Sequence, residues 1–269
     1  MARLFKAFFF KISRDLTFRI TLIVGAAFAV FTCLLYFLLE KSVCNGPNML
    51  INTLTPINNF GIAVPVNLIS FTVLEFTQGT IRNKIIAGNS KFKIYVSLFL
   101  TGLIFTLSLV AVYAGICTAF GCIIGGFSLD SKVTVNFLFA AHVDVKYIIQ
   151  MVTIYLFVFI FLTSFAIFSA TLFRNIGPCI PLVLGVLFIG AFIPIFLIGN
   201  IEQGSAVEWI LKIVDPFYGM SGATLGGTLD DLQAYFEDST FICTIASNFV
   251  YAALLFTGGA LLFTKRDVK

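Results

Sequence analysis

Apolar residues run through this chain in long blocks, and polar residues collect between them. Six blocks are long enough to cross a bilayer as a helix of about 20 residues: 20–39, 54–74, 96–122, 147–173, 176–198 and 241–263. The pattern predicts an all-α polytopic membrane protein, with one transmembrane domain covering residues 1–269. The first block reads as a span and not a cleaved leader, because its apolar run is too long and no small-x-small cleavage site follows. Ahead of it, in RLFKAFFFKISRDLTF, Leu4, Phe5, Phe8, Phe9, Ile12 and Leu16 recur at steps of three and four. With Lys6, Arg14 and Asp15 between them, this spacing predicts an amphipathic helix within 1–19, lying in the membrane interface.

The spans differ in character. Spans 1, 3, 4 and 6 are mostly Leu, Ile, Val, Phe and Ala. Span 2 carries Asn58, Asn59, Pro65 and Asn67, and span 5 carries Pro181, Gly185 and Pro194. Proline frees a backbone carbonyl in the bilayer, and that carbonyl needs a protein or water partner. Spans 2 and 5 are therefore the candidates for lining a transport pathway or a subunit interface. Packing through small and polar residues is the competing reading of the same content. After span 5, the outer connection 199–240 contains SAVEWILKIVDPFYGMSG, whose apolar positions predict short helices at or dipping into the outer leaflet. The outer loop between spans 3 and 4 carries little signal.

Composition confirms the class: 59% of residues are hydrophobic, 11% are charged and the mean hydropathy is +1.03. A soluble domain carries about 25% charge. The formal charge of +4 has a topological origin. Thirteen of the 17 basic residues precede span 1, follow spans 2 and 4, or end the chain. Only Asp15, Glu75 and Asp267 accompany them on that side. By the positive-inside rule, both termini face the cytoplasm and the chain sits in a cytoplasmic membrane. No nucleic-acid partner is expected.

Catalytic chemistry is not apparent. The one histidine, His142, lies beside Asp144 in an outer loop and reads as a solvated loop residue. No Gly-x-Ser-x-Gly or His-Glu-x-x-His motif occurs, and no glycine precedes a lysine, as a phosphate-binding loop requires. The chain is not expected to be an enzyme, to bind a metal or to hold a cofactor. Its six cysteines lack ligand spacing; Cys44 and Cys122 are the pair that the topology would let meet outside. None of the six span cores contains a charged residue that could relay protons. Uphill transport would draw its energy from a partner.

One loop stands apart. EFTQGTIRNKIIAGNSKFKIYVS follows span 2 on the basic side, covering the whole loop 75–95 and the first two residues of span 3. Gly79 and Gly88 bracket a short helix, with Arg82 and Lys84 expected on its exposed side and Ile81, Ile85 and Ile86 on an apolar face. This segment resembles the loop after the second span of ABC-2 type permeases. The likeness lies in an acidic residue, Gly-Thr, an Arg, a second Gly and a Ser-basic-x-x-Ile-Tyr ending. The likeness extends to the interfacial helix, six spans, long outer loop before span 6 and short basic tail.

The resemblance implies a membrane subunit of a bacterial ATP-binding-cassette exporter. Two permease subunits, a homodimer in preference to a heterodimer, would pair with two ATPase subunits that hold the ATP and Mg. The loop helix would be the coupling helix seated in the ATPase, with Glu75, Gly79, Thr80, Ile81, Arg82, Asn83 and Lys84 as its site residues. The uncharged span lining suits a hydrophobic or amphipathic cargo, with a peptide ahead of a lipid-linked molecule or drug. The alternative is a non-transporting channel-like, sensory or assembly protein, which would have no nucleotide-dependent partner at this loop.

Overall fold

In the computed structural model, residues 2–39, 44–47, 49–50, 57–126, 132–135, 139–142, 145–198, 206–214 and 238–266 are described. Nine helices and one hairpin order them: α1 Ala2–Arg14, α2 Leu16–Leu39, α3 Ile57–Thr77, α4 Thr80–Ile86 and α5 Lys91–Gly125 come first. The hairpin β1 Lys132–Val135 and β2 Phe139–His142 follows, then α6 Val145–Phe173, α7 Ile176–Ile198, α8 Ala206–Val214 and α9 Asp238–Lys265.

Among the described residues, four helices are long and apolar enough to cross a membrane: Leu16–Leu38, Lys91–Gly125, Val152–Phe173 and Phe241–Lys265. They make this a multi-pass membrane protein by length and composition. On sequence spans 2 and 5, among the described residues, further apolar helical stretches run over Ala63–Thr77 and Ile176–Ile189. At 35 residues, α5 is about 50 Å long and projects beyond a 30 Å hydrocarbon layer.

One expectation changes. The amphipathic helix stops at Arg14, not residue 19, because Asp15 takes over as a cap. Its carboxylate accepts from Thr17 N at 2.8 Å, the bond that starts a new helix. The outer loop between spans 3 and 4, where the sequence carries little signal, adds two short strands to the helical bundle. It forms an antiparallel hairpin in which Val133, Thr134 and Val135 face Ala141, Ala140 and Phe139, consistent with its β-branched residues. His142 pairs there with Lys132, while Asp144 lies outside the described residues. All six cysteines are free thiols, so Cys44 and Cys122 are not joined.

The bundle is organised around α6, which packs against α3, α5, α7 and α9. Buried Tyr155, Val158, Phe159, Leu162, Ala166 and Ala170 supply its core face. Without a hydrophobic drive between helices in lipid, small and hydroxyl residues do the joining. Gly102 lets α5 meet Ile167 and Leu68, and Thr106 Oγ1 meets Thr163 Oγ1 at 3.1 Å. Helix α2 packs on α5 at the edge and leaves Ile23, Val24, Phe31 and Leu38 outward. The chain after α2 closes onto the far end of α5, where a Cβ on Gly121 would lie 2.6 Å from Asn45 O.

Candidate functional site

At the end opposite the hairpin, the chain leaves α3 through a left-handed turn at Gly79 (φ 66). Helix α4 begins there with Asn83 N bonded to Gly79 O. It stops at a second left-handed residue, Gly88 (φ 84). The Asn89 backbone and side-chain amides both donate to Lys84 O at that end. Each positive φ favours a residue without a Cβ. Ser90 then caps α5 by accepting from Lys93 N. Both ends of α4 are fixed by backbone geometry.

Glu75, one residue past span 2, has a side chain fully removed from solvent. Lys11 Nζ lies 2.6 Å from its Oε1, and Lys84 Nζ lies 2.9 Å from its Oε2. Thr80 Oγ1 is 2.6 Å from Oε2 and 2.9 Å from the Glu75 carbonyl. Lys11 also donates to Gln78 Oε1, and the Lys84 ammonium sits over the buried Phe8 ring at 3.1 Å from its centroid. One carboxylate thus ties together three segments: α1, the end of α3 and α4.

Burial alone would raise the Glu75 carboxyl, but Lys11, Thr80 and Lys84 outweigh it and hold it below the ordinary carboxylate value. For Lys84, burial pulls the ammonium down against the opposing pull of Glu75. The geometry favours a charged pair, because two cations and a hydroxyl converge on the carboxylate.

The predicted site residues divide into two groups. Glu75, Thr80, Lys84 and the fully buried Ile81 face inward. Arg82 and Asn83 face outward together with Ile86, which is 73% exposed. This corrects the expectation for two residues: Lys84 belongs to the inner face, and Ile86 does not belong to the apolar one. Lys11 and Phe8 are the participants that sequence reasoning missed.

Cations also close the neighbouring helix ends. Lys91 Nζ donates to the Thr264 and Arg266 carbonyls at the end of α9, and Arg266 Nη1 donates to Leu172 O at the end of α6. These carbonyls have no partner within their own helices, and a cation also suits the negative pole there. Arg174 turns the chain from α6 into α7 at φ 54, with its guanidinium 5.3 Å above the Phe76 ring. The basic residues that set orientation in the sequence thus also lock the ends of α6 and α9 to α5 and α3.

The second predicted set is less united. Helices α3 and α7 do pack together. Asn67, expected to face a pathway, instead accepts from Thr21 Oγ1 of α2 at 3.0 Å. Its amide donates to Ala63 O, four residues back and beside the buried Pro65. Its polar atoms are therefore directed at span 1 and at its own helix. Pro181 is exposed and Gly185 partly so. The side chains of Asn58, Asn59 and Pro194 lie outside the described residues. Among the described residues no group of His, Cys, Asp and Glu could hold a metal ion.

Comparison with protein-family models, with curated proteins and with solved structures gives no match for this chain.

Proposed function

We propose that this chain is the permease subunit of an ATP-driven exporter of the ABC-2 type, working with a separate ATPase in a bacterial cytoplasmic membrane. One observation above all supports the reading. Helix α4 is fixed at both ends by left-handed glycines and anchored beneath by Ile81 and the Glu75 cluster. It turns Arg82, Asn83 and Ile86 outward. A rigid element with one anchored and one exposed face is suited to receive force from another protein.

In this proposal α3 and α7 are spans 2 and 5 of a six-span subunit with both termini in the cytoplasm. Two such subunits associate, and two ATPase chains bind beneath them. ATP and Mg belong to the ATPases. Closure of the ATPase pair displaces α4, and Glu75 passes the displacement to α3 and α1 as one body. The two bundles then exchange an inward-open arrangement for an outward-open one, as a shift between two packed states. The apolar character of the spans fits a hydrophobic or amphipathic cargo, a peptide first.

Purification under mild detergent from the native membrane tests the proposal. The chain is expected to carry an ATPase subunit with it, and an added hydrophobic peptide cargo is expected to stimulate hydrolysis. A preparation that exports cargo yet contains no ATP-hydrolysing partner would overturn it in favour of an ion-driven transporter, and one with neither export nor such a partner would overturn it in favour of the non-transporting class.

A further inference from the structure

Helix α1 has two working faces, and the Glu75 cluster uses only one. Leu4, Phe8 and Ile12, at steps of four, are buried against the bundle, with Lys11 beside them on Glu75. Around the other side runs a stripe of Lys6, Phe10 and Arg14, again at steps of four, so these side chains lie one above another. Phe10 is 55% exposed, and the Arg14 guanidinium lies 4.2 Å from its ring centroid. Next to this stripe Phe9 is 44% exposed and stacks on Phe5 with ring centroids 6.2 Å apart. Outward rings for acyl chains thus lie beside outward cations for phosphates.

The position of α1 is held as well as its composition. Only Asp15 separates it from α2, the first membrane-crossing helix. The elbow is stapled from both sides: Asp15 accepts from Thr17 N, and Arg19 Nε donates to Ser13 O at 3.2 Å. The aromatic and basic stripes therefore keep a set angle to the span and hence to the bilayer plane.

We infer that the outward face of α1 binds an anionic bilayer surface, and that its occupancy is transmitted to α4 through Lys11 and Glu75. Charge complementarity selects the occupant, because Lys6 and Arg14 are exposed, while Asp15 is engaged at the elbow and Glu75 lies buried on the opposite face of the helix. Anionic lipid attracts such cations within a Debye length. A lipid held on one face of α1 limits the motion of the helix, and Lys11 on the other face carries that order to the carboxylate shared with α4. The inference needs only the membrane character of the chain and holds whether or not an ATPase is its partner.

Hydrogen exchange on the full chain in nanodiscs tests it. Discs of phosphatidylcholine alone are compared with discs that also contain phosphatidylglycerol. Exchange of the α1 amides is expected to slow about tenfold in the anionic discs, with α4 slowing alongside, and added salt should reverse both. Lys6→Gln with Arg14→Gln should abolish the response in both helices. Lys11→Gln should retain it in α1 and lose it in α4. Equal exchange in the two disc types, or a charge response that survives Lys6→Gln with Arg14→Gln, overturns the lipid surface. An α4 response that survives Lys11→Gln overturns the transmission. Protection that follows protein concentration in place of lipid charge would identify a second copy as the occupant and also overturn the inference.

Discussion

Replacing Glu75 with Ala is expected to release α1 and α4 from the end of α3 together. The substitution leaves two ammonium groups facing each other across an apolar space. Lys84 is the more deeply placed, with its side chain 19% exposed, whereas Lys11 at 38% recovers solvent more easily. Removing one partner of a buried ion pair costs about 3–5 kcal/mol. The low end of that range is expected here because Lys11 is partly screened by water. Thermal unfolding in detergent should show a clear drop, and limited proteolysis should cut near Gly79 and Gly88. Glu75→Met with Lys84→Met should recover part of the loss, since it removes opposite charges together. A Glu75→Ala protein that melts within about 0.5 kcal/mol of wild type, as surface substitutions do, would deny the cluster its role.

Arg82→Glu should have the opposite profile: the fold is kept and the partner is lost. The Arg82 side chain is exposed on α4. Reversing its charge therefore leaves the bundle intact and, if the proposed ATPase docks there, would oppose a complementary surface on it. Truncating or reversing one member of a desolvated interfacial charge pair costs on the order of 2–5 kcal/mol. Partner-coupled hydrolysis should fall by well over tenfold with an unchanged melting profile. Lys84→Glu, three positions from Ile81, should instead lower stability, because it sets a second carboxylate beside Glu75. Equal behaviour of the two variants would show that α4 does not have distinct inner and outer faces.

The contrast between Arg82 and Lys84 also marks how far the sequence could be read. The limits of α4 were legible because Gly79 and Gly88 are needed where the backbone turns left-handed. Its inner face was legible too, though by position and not by residue type. Thr80, Ile81, Lys84 and Ile85 fall at steps of one, three and four, and so share a side. Grouping isoleucines together put Ile86 on the wrong face. The apolar blocks foretold most helix bounds to within a few residues, since the bilayer demands continuous apolar helices.

What could not be read is long-range. Nothing local links Lys11 with Glu75, or Thr21 with Asn67. A period of four at Leu4, Phe8 and Ile12 announces an apolar face without saying whether protein or lipid covers it. The structure gives that face to protein and leaves Phe9 and Phe10 outward.

The central claim is that α4 presents a partner-binding face while its other face is bolted to the membrane bundle. Site-specific photocross-linking in cells measures this most directly, with a photoreactive residue placed in turn at Arg82, Ile86 and Ile81. The account predicts that positions 82 and 86 trap one nucleotide-binding chain, with a yield that changes when ATP hydrolysis is blocked. Position 81 should trap nothing outside its own chain. Cross-links from 82 and 86 to lipid alone in cells that still export cargo, or capture of the same ATPase from position 81, would contradict it.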